Sequence, residues 1–310
     1  MNTLDRERYI ENINKIIKEY LNTPEEERSL TQLGHKYGIK RQTIAKYLRS
    51  YGHEVTNYRN KPRINEHIFD VIDTEEKAYW LGFLYADGNL SITGHRVNLS
   101  LAIKDLAHVE KFKRFLHCTN DITLNTKVIG DKTFQLCRIA FRNKNIWEQL
   151  CKKGCTPQKT STLKFPDKNI FANKNLIRHF IRGYCDGDGT LGLYATKYNK
   201  HETSIRFAGT QQFLEGIRDY LGSYGTIRNE SCPSKQSKIY TLNYGCLKAR
   251  QVARVLYENS NIYLDRKFNI YKSFCRAEEG SSVLKSSKIG ETWDGNPEVI
   301  SEITKGSETL

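Results

Sequence analysis

The sequence predicts an α+β fold made of two similar subdomains, preceded by a small all-α domain. Two observations predict the pair of subdomains. A Gly-x-x-x-x-Asp-Gly motif occurs twice, with its aspartates, Asp87 and Asp188, 101 residues apart, and each copy precedes segments in which apolar and polar residues alternate. A third observation predicts the all-α domain, because apolar residues recur at helical spacing over the first 50 residues. An internal repeat of this kind is typical of two subdomains related by a pseudo-twofold axis.

Charge indicates the class of partner. The 310 residues include 49 Lys and Arg against 35 Asp and Glu, a net charge of +14. The segment after residue 276 has seven acids and three lysines, a net charge of −4, so residues 1–276 carry +18. A body this basic favours a polyanion, and nucleic acid is preferred over an anionic membrane because no basic amphipathic helix dominates.

Several other classes of protein are excluded by composition. No run of about 18 apolar residues is present, so no membrane span is expected. The first residues have no apolar segment, so we expect a cytoplasmic protein of a bacterial or phage host, with an organelle left open. The eight cysteines include one close pair, Cys151 and Cys155, without a second pair; reduced thiols are therefore preferred over a zinc site. No glycine-rich phosphate loop follows a strand, so a nucleotide cofactor is not expected.

The first domain is expected to be helical. Residues 6–22 have the spacing of an amphipathic helix, and two short helices follow on either side of Gly38, which supplies a left-handed turn. Ile44 would fill the corner between the two short helices. The pattern resembles the helix–turn–helix of bacterial repressors and invertases. Its second helix would turn a polar face towards DNA (Lys40, Arg41, Gln42, Thr43 and Lys46). An ordinary helical hairpin with a solvated charged face is the alternative.

Domain boundaries follow from changes in pattern. Residues 1–52 form the helical domain, and residues 53–74, which are polar and basic without periodicity, form a linker. The two subdomains cover residues 75–168 and 169–276. Residues 277–310 form an acidic, mobile tail.

The alternating segments predict which side chains face out of each sheet. Val97, Leu99, Leu101 and Ile103 should face the core, and the polar residues between them should face the other way (Arg96, Asn98, Ser100 and Lys104). In the second subdomain Ile205 and Phe207 should face inward and Arg206 outward. An open sheet face that is polar and basic suits contact with the major groove. Residues 131–142 leave both orientations open, because Arg138 and Arg142 share parity with Phe134.

The two motifs predict a pair of helices in close contact. Small residues four apart share one helix face and let two backbones approach (Gly82 with Ala86, and Gly183 with Gly187). Each helix ends at a glycine, Gly88 or Gly189, directly after Asp87 or Asp188. Two carboxylates beside two negative helix ends call for a divalent cation, and oxygen ligands favour Mg²⁺. The alternative is a pair of glycine-capped buried helices whose acids only cap or solvate the helix ends.

The motifs are similar to those of the LAGLIDADG homing endonucleases in their single-chain, two-motif form. Each copy matches the nine-letter pattern at its third, eighth and ninth letters (Gly82, Asp87 and Gly88; Gly183, Asp188 and Gly189). The sixth letter is met by Asp186 in the second copy, whereas the first copy has Tyr85 there. The second letter is Leu81 in one copy and Arg182 in the other. The resemblance covers about residues 75–276.

The resemblance implies two αββαββα subdomains whose sheets form a saddle over double-stranded DNA. It implies a site-specific endonuclease in which Asp87 and Asp188, with Gly88 and Gly189, hold Mg²⁺ or Mn²⁺ and water attacks one phosphodiester of each strand. It also implies a lysine near each site, Lys159 and Lys267, to orient water or stabilise charge. A plain surface position for either lysine stays open. Asp105 and Thr210 are weaker candidates for positioning the water.

Other activities on the same scaffold remain alternatives. A non-cleaving binder, either an intron maturase or a transcriptional regulator, is the main one, and it leaves intron RNA open as a partner. An intein domain is disfavoured, because no splicing cysteine or C-terminal His-Asn is visible. We expect a monomer belonging to a mobile genetic element, with intron homing as its biological setting.

Overall fold

The structure is a computed structural model that describes residues 3–24, 28–53, 55, 63–195, 202–222, 224–230 and 239–279, with the side chains of residues 3–9 and 277–279 left out. The chain forms two compact units, residues 1–63 and 64–310. The predicted acidic tail lies outside the described residues from residue 280 onward. In the described part of the chain, no helix has both the length and the apolar composition needed to cross a bilayer.

The first unit contains three helices, α1 (Thr3–Asn22), α2 (Leu30–Tyr37) and α3 (Arg41–Ser50). The Ser29 hydroxyl accepts from the Gln32 amide and begins α2, and Gly38 ends it in the left-handed region at φ 64°. Ile44, on α3, is buried in a small hydrophobic core that α1, α2 and α3 form within the first unit. A Cβ at Gly34 would collide with the carbonyl oxygen of Ile39, so this position requires glycine for the close approach of the chain.

The first half of the second unit has the order α4 (Glu75–Asp87), β1 (Gly88–Leu90), β2 (Arg96–Ala102), α5 (Leu106–Phe115), β3 (Thr123–Ile129), β4 (Lys132–Arg142) and α6 (Lys144–Lys152). A 3-10 turn, Ile103–Asp105, joins β2 to α5. The strands form an antiparallel sheet in the order β1-β2-β4-β3. This half is therefore αββαββα.

The second half repeats that order with α7 (Leu176–Asp188), β5 (Gly189–Tyr194), β6 (Glu202–Gly209), α8 (Gln211–Leu221), β7 (Thr226–Asn229), β8 (Tyr240–Gly245) and α9 (Cys246–Tyr257), and adds α10 (Asp265–Glu279). Its sheet has the equivalent order β5-β6-β8-β7. The register repeats too, since Gly88 lies opposite Leu99 and Gly189 lies opposite Phe207. One continuous hydrophobic core includes residues of both halves.

The orientation of the strands agrees with the alternation in the sequence. Val97, Leu99 and Leu101 are buried, as are Ile205 and Phe207, whereas Ser100 and Arg206 are exposed. The orientation of residues 131–142, which the sequence left open, is decided by the register of β4. Arg138 lies opposite Ser100 and Arg142 opposite Arg96, so both arginines lie on the open face.

Three expectations are corrected by the structure. The linker was expected to reach residue 74, but Ile68, Phe69 and Ile72 are buried in the core of the second unit. Residues 53–74 show no apolar periodicity, because these few apolar residues lie among polar ones. The strand expected to include Ile103 and Lys104 ends at Ala102, and Lys104 is exposed in the 3-10 turn rather than on the sheet.

The third correction concerns why glycine follows each motif helix. Gly88 and Gly189 are extended, at φ −69° and −85°, so neither is a left-handed cap. A Cβ at Gly88 would instead lie 2.5 Å from the carbonyl oxygen of Leu84, and one at Gly189 would lie 2.5 Å from that of Cys185. Lack of space therefore requires glycine at both positions.

Candidate active site

The two motif helices, α4 and α7, pack in parallel with their backbones in contact. A Cβ at Gly82 would overlap the carbonyl oxygen of Phe180, and one at Gly183 would overlap that of Tyr79. Further along, a Cβ at Gly187 would overlap the side chain of Ala86. The predicted set of small residues thus lies where contact is closest, and the C-terminal ends of the two helices, with their aspartates, lie together.

The two carboxylates differ in their surroundings. Asp87 is half-buried, and burial together with the negative charge of Asp188 raises its pKa to about 6, against the opposing effect of Lys267 and Lys159. Asp188 is more exposed, and partial loss of hydration raises its pKa, with Lys159 and then Lys267 opposing the rise. For each acid, the strongest opposing cation comes from the other half of the molecule. We call these pairs the Asp87 site (Asp87 with Lys267) and the Asp188 site (Asp188 with Lys159).

The two lysines lie at the ends of the motif helices, but in unlike environments. The Lys267 ammonium is 3% exposed and donates to three carbonyl oxygens at the end of α7, those of Cys185 at 2.6 Å, Asp186 at 2.7 Å and Gly189 at 2.6 Å. Lys159 is half-buried in a 3-10 turn and donates to one carbonyl oxygen, that of Gly88. Lys267 therefore caps a helix end with all of its donors, whereas Lys159, among the described residues, keeps donors to spare.

The carbonyl oxygens expected as metal ligands are already engaged. Those of Gly88 and Gly189 each accept from an ammonium, and a metal ion on the same oxygen would lie beside that positive charge. Each carbonyl oxygen has a second lone pair, so the expectation that these glycines are ligands stays a prediction. Within the described residues, no group of three or more His, Cys, Asp or Glu side chains could hold a metal ion. The two aspartates are the candidate side-chain ligands.

The residue at the sixth letter of each motif forms a hydrogen bond with the loop that precedes the lysine of the same half, Lys159 or Lys267. This bond connects the motif helix to that loop. The Tyr85 hydroxyl donates to the carbonyl oxygen of Lys153. The buried Asp186 carboxylate accepts from the hydroxyls of Tyr79 and Tyr257, both at 2.7 Å, and from the Leu264 amide at 2.8 Å. Tyr85, which departs from the nine-letter pattern, therefore keeps the connection to the loop, with a hydroxyl donor in place of a carboxylate acceptor.

A buried arginine, at the second letter of the second motif, connects the halves. Arg182 is fully buried and donates to the carbonyl oxygens of Ile262 and Leu256 and to Glu75, at the start of α4. Glu75 also accepts from Asn261. Sequence reasoning treated Arg182 only as a departure from the motif; an arginine at the position where the first motif has Leu81 was the signal that a buried acceptor lay nearby.

The two weaker candidates have structural partners. Asp105 is buried and paired with Arg266 of α10, at 3.0 Å. The Thr210 hydroxyl accepts from the Phe213 amide, begins α8 and donates to the carbonyl oxygen of Leu163. The water-positioning role expected of these two groups stays a prediction.

The residues predicted to contact DNA lie on exposed or half-buried surfaces. In the second unit, Arg96, Asn98, Ser100 and Arg206 lie on the open faces of the two sheets. Arg138, Arg142 and Arg228 share those faces, and sequence reasoning missed them as DNA contacts. In the first unit, Thr43 is half-buried and the other predicted contacts of α3 are exposed (Lys40, Arg41, Gln42 and Lys46).

Comparisons with known proteins give a likeness in structure. No family model and no curated protein sequence matches the chain. Solved structures similar to it are of LAGLIDADG homing endonucleases and other meganucleases. They include the meganuclease I-SmaMI bound to uncleavable DNA (TM-score 0.42, 14% identity, 75% of this chain and 97% of that one), and the LAGLIDADG meganuclease I-AabMI bound to uncleaved DNA (0.43, 14%, 75% and 98%). A third is the LAGLIDADG homing endonuclease I-LtrWI bound to target DNA (0.45, 12%, 79% and 98%).

Proposed function

We propose that the protein is a site-specific endonuclease that cuts both strands of double-stranded DNA with the help of divalent metal ions. One observation carries the proposal: α4 and α7 meet backbone to backbone and bring Asp87 and Asp188 to the same end, beside Lys159 and Lys267. Two carboxylates next to two negative helix ends are costly unless cations bind there. The open faces of the sheets carry arginines suited to phosphates and base edges.

The donor set fits Mg²⁺ or Mn²⁺. Mg²⁺ is usually bound by one or two carboxylates together with water and substrate phosphates, so two aspartates suffice once DNA is present. A bound Mg²⁺ would lower the pKa of the attacking water and offset charge on the phosphate. Asp87 and Asp188 would each serve one strand.

The lysines would act in different ways. Lys159, with donors to spare, would orient the water or stabilise charge on a phosphate oxygen. Lys267 gives its donors to carbonyl oxygens, so it would act on Asp87 through its charge and by holding the end of α7 in place. Neither role involves a covalent bond between the protein and the DNA.

Cleavage tests the proposal directly. A target duplex is first selected by the protein from a random-sequence pool in Ca²⁺, then placed in a supercoiled plasmid and incubated in Mg²⁺, Mn²⁺ or EDTA. We expect linear product with Mg²⁺ or Mn²⁺ alone. Asp87→Asn and Asp188→Asn should each lose the linear product, with the remaining cutting mainly on one strand. Asp121→Asn, an exposed acid far along the chain, is the matched control.

Two outcomes would contradict the proposal. Linear product that still forms in both aspartate variants removes the catalytic assignment. A protein that retards the duplex in a gel but never nicks it in either metal is a binder, and the maturase or regulator alternative then replaces the endonuclease.

We also propose that the first unit is a helix–turn–helix domain that extends the DNA contact through α3. Its support is the left-handed Gly38 between α2 and α3 and the exposed basic residues Lys40, Arg41 and Lys46. Replacing these three residues by glutamine should shorten the DNase footprint at one end and leave cutting at the same position. An unchanged footprint would contradict a DNA-binding role for α3.

A further inference from the structure

Arg266 forms an ion pair that joins the two halves beside the candidate site. It lies in the first turn of α10, directly before Lys267. Its Nε donates to both carboxylate oxygens of Asp105, at 3.0 and 3.3 Å. Asp105 belongs to the first half and is 8% exposed. A buried carboxylate thus holds one edge of a guanidinium that comes from the opposite half.

The other edge of this guanidinium is accessible. The Arg266 side chain is 44% exposed. Within the described part of the chain, neither of its terminal nitrogens, Nη1 and Nη2, is hydrogen-bonded. A planar guanidinium held at Nε by a carboxylate still presents two parallel N–H groups, the arrangement that binds two oxygens of one phosphate.

Contacts place Arg266 on the Asp87 side of the site. The neighbouring Lys267 ammonium lies 3.4 Å from the carbonyl oxygen of Gly187, and a Cβ at Gly187 would lie 3.1 Å from Oδ2 of Asp87. The electrostatics agree: burial and Asp188 raise the pKa of Asp87, and Arg266 is one of three cations that oppose the rise. The cations that oppose the raised pKa of Asp188 are Lys159 and Lys267.

The equivalent place in the other half has no such cation. Gln158 precedes Lys159 as Arg266 precedes Lys267, and it is neutral and exposed. Thr210 directly precedes α8 as Asp105 directly precedes α5, but its hydroxyl serves the start of α8 and the carbonyl oxygen of Leu163. The guanidinium is therefore present on one side alone of the described pair of sites.

We propose that Arg266, positioned by Asp105, binds the phosphate that is cut at the Asp87 site and stabilises the charge that develops on its oxygens. The inference rests on the proposed endonuclease function. It adds that the two strands are cut by unequal sites, one with a guanidinium and one without. Asp105 is then a positioning residue that acts through Arg266.

Strand-resolved cutting is the first test. The selected target duplex carries a different end label on each strand, and the rate of each cut is measured in Mg²⁺. We expect Arg266→Gln to slow one cut about tenfold to hundredfold and to leave the other within about threefold, so that nicked DNA accumulates. The affected cut should be the one that Asp87→Asn suppresses more strongly. Asp105→Asn should slow the same cut by a smaller factor.

Controls separate this role from a general loss of structure. Arg276→Gln makes the same change on an exposed residue of α10 and should leave both cuts unchanged. Arg266→Lys keeps the charge but not the fork of donors, so it should recover the affected cut only in part. Equal slowing of both cuts, or slowing of neither, by Arg266→Gln would overturn the proposal.

Binding without cutting distinguishes failure of this inference from failure of the endonuclease proposal. In Ca²⁺, the affinity of wild type and Arg266→Gln is measured for duplexes in which single phosphates near the centre are replaced by neutral methylphosphonates. We expect one replacement to weaken the wild type about tenfold and to have little effect on the variant. If the affinity loss from each methylphosphonate and the loss from Arg266→Gln simply multiply at every position, the proposed phosphate contact is overturned, even if the wild type cuts DNA. If one methylphosphonate weakens the wild type but not the variant, and the wild type never cuts DNA, the result supports the phosphate contact and contradicts the endonuclease proposal.

Discussion

The two halves of the second unit share an element order but differ at the ends of their motif helices. The Asp87 site has a half-buried acid, a lysine enclosed by carbonyl oxygens and an arginine from the opposite half. The Asp188 site has an exposed acid and a lysine with one carbonyl partner. A repeated fold can therefore keep the positions of its charged groups while changing how each is held.

The two halves are most alike where α4 contacts α7, and substitutions at this contact should have the largest effects on stability. Gly82→Ala and Gly183→Ala should each cost about 3 kcal/mol or more in the free energy of unfolding, because the added Cβ overlaps backbone rather than a side chain that can move. Urea unfolding followed by tryptophan fluorescence measures the change, since Trp80 and Trp147 belong to the second unit.

Gly245→Ala is the matched control for this comparison. Its φ of −122° suits any residue, and a Cβ there meets nothing within 4 Å. Gly245 is the N-cap of α9, where alanine is less favourable than glycine, so the change should lower stability by no more than about 1 kcal/mol. If Gly82→Ala proved much milder than Gly183→Ala, the contact would be less symmetric than the structure indicates.

The lysines should reveal the difference between the halves. Lys267→Met leaves three buried carbonyl oxygens without their donor, whereas Lys159→Met leaves one at a half-buried position. We expect losses of about 3 and about 1 kcal/mol in the free energy of unfolding. The same urea titration measures both. Equal losses would contradict the distinction between an enclosed and an accessible ammonium.

Folding raises the pKa of Asp87 to about 6 from an ordinary value of 3.8, and this predicts how stability varies with pH. The native state then keeps this proton to higher pH than the unfolded chain, so the stability it contributes is present below about pH 4 and lost as pH rises towards 6. A difference of about two pKa units corresponds to about 3 kcal/mol. Without metal, Asp87→Asn should therefore match wild type near pH 4 and exceed its stability by up to about 3 kcal/mol at pH 7.5.

Asp188→Asn sharpens this comparison. Asp188 is exposed, so water screens it and the gain in stability at pH 7.5 should be smaller than for Asp87→Asn. Added Ca²⁺ should stabilise wild type more than either variant, because each variant lacks one of the two carboxylates proposed to bind cations. A larger gain for Asp188→Asn would reverse the assignment of the two environments.

The sequence was informative where one physical rule decides the structure. Small residues four apart predicted the α4–α7 contact, and alternation predicted the faces of β2 and β6. It was uninformative for β3, where every residue is exposed and no alternation arises. The faces of Arg138 and Arg142 depend on the register with β2, which is set by pairing between distant segments.

Site details escaped sequence reasoning because they depend on contacts between the halves. Lys267 was correctly placed near the end of a motif helix, but its enclosure depends on how the first turn of α10 meets α7. The Asp105–Arg266 pair joins residues 161 apart in the chain. No local pattern predicts such a pair.

The smallest expected effect compares the open faces of the two sheets. Each phosphate contact that is lost lowers the slope of log affinity against log salt by about 0.9. Arg138→Gln with Arg142→Gln in the first sheet, and Arg206→Gln with Arg228→Gln in the second, should each lower the slope by up to about 1.8 if both sheets bind DNA equally. Fluorescence anisotropy in Ca²⁺ at several salt concentrations measures the slope. Arg206 donates to Asn243, so part of its charge is already directed within the sheet, and the second pair should give the smaller change. A reduction confined to one pair would mean that the repeated sheets, like the repeated sites, use the same positions unequally.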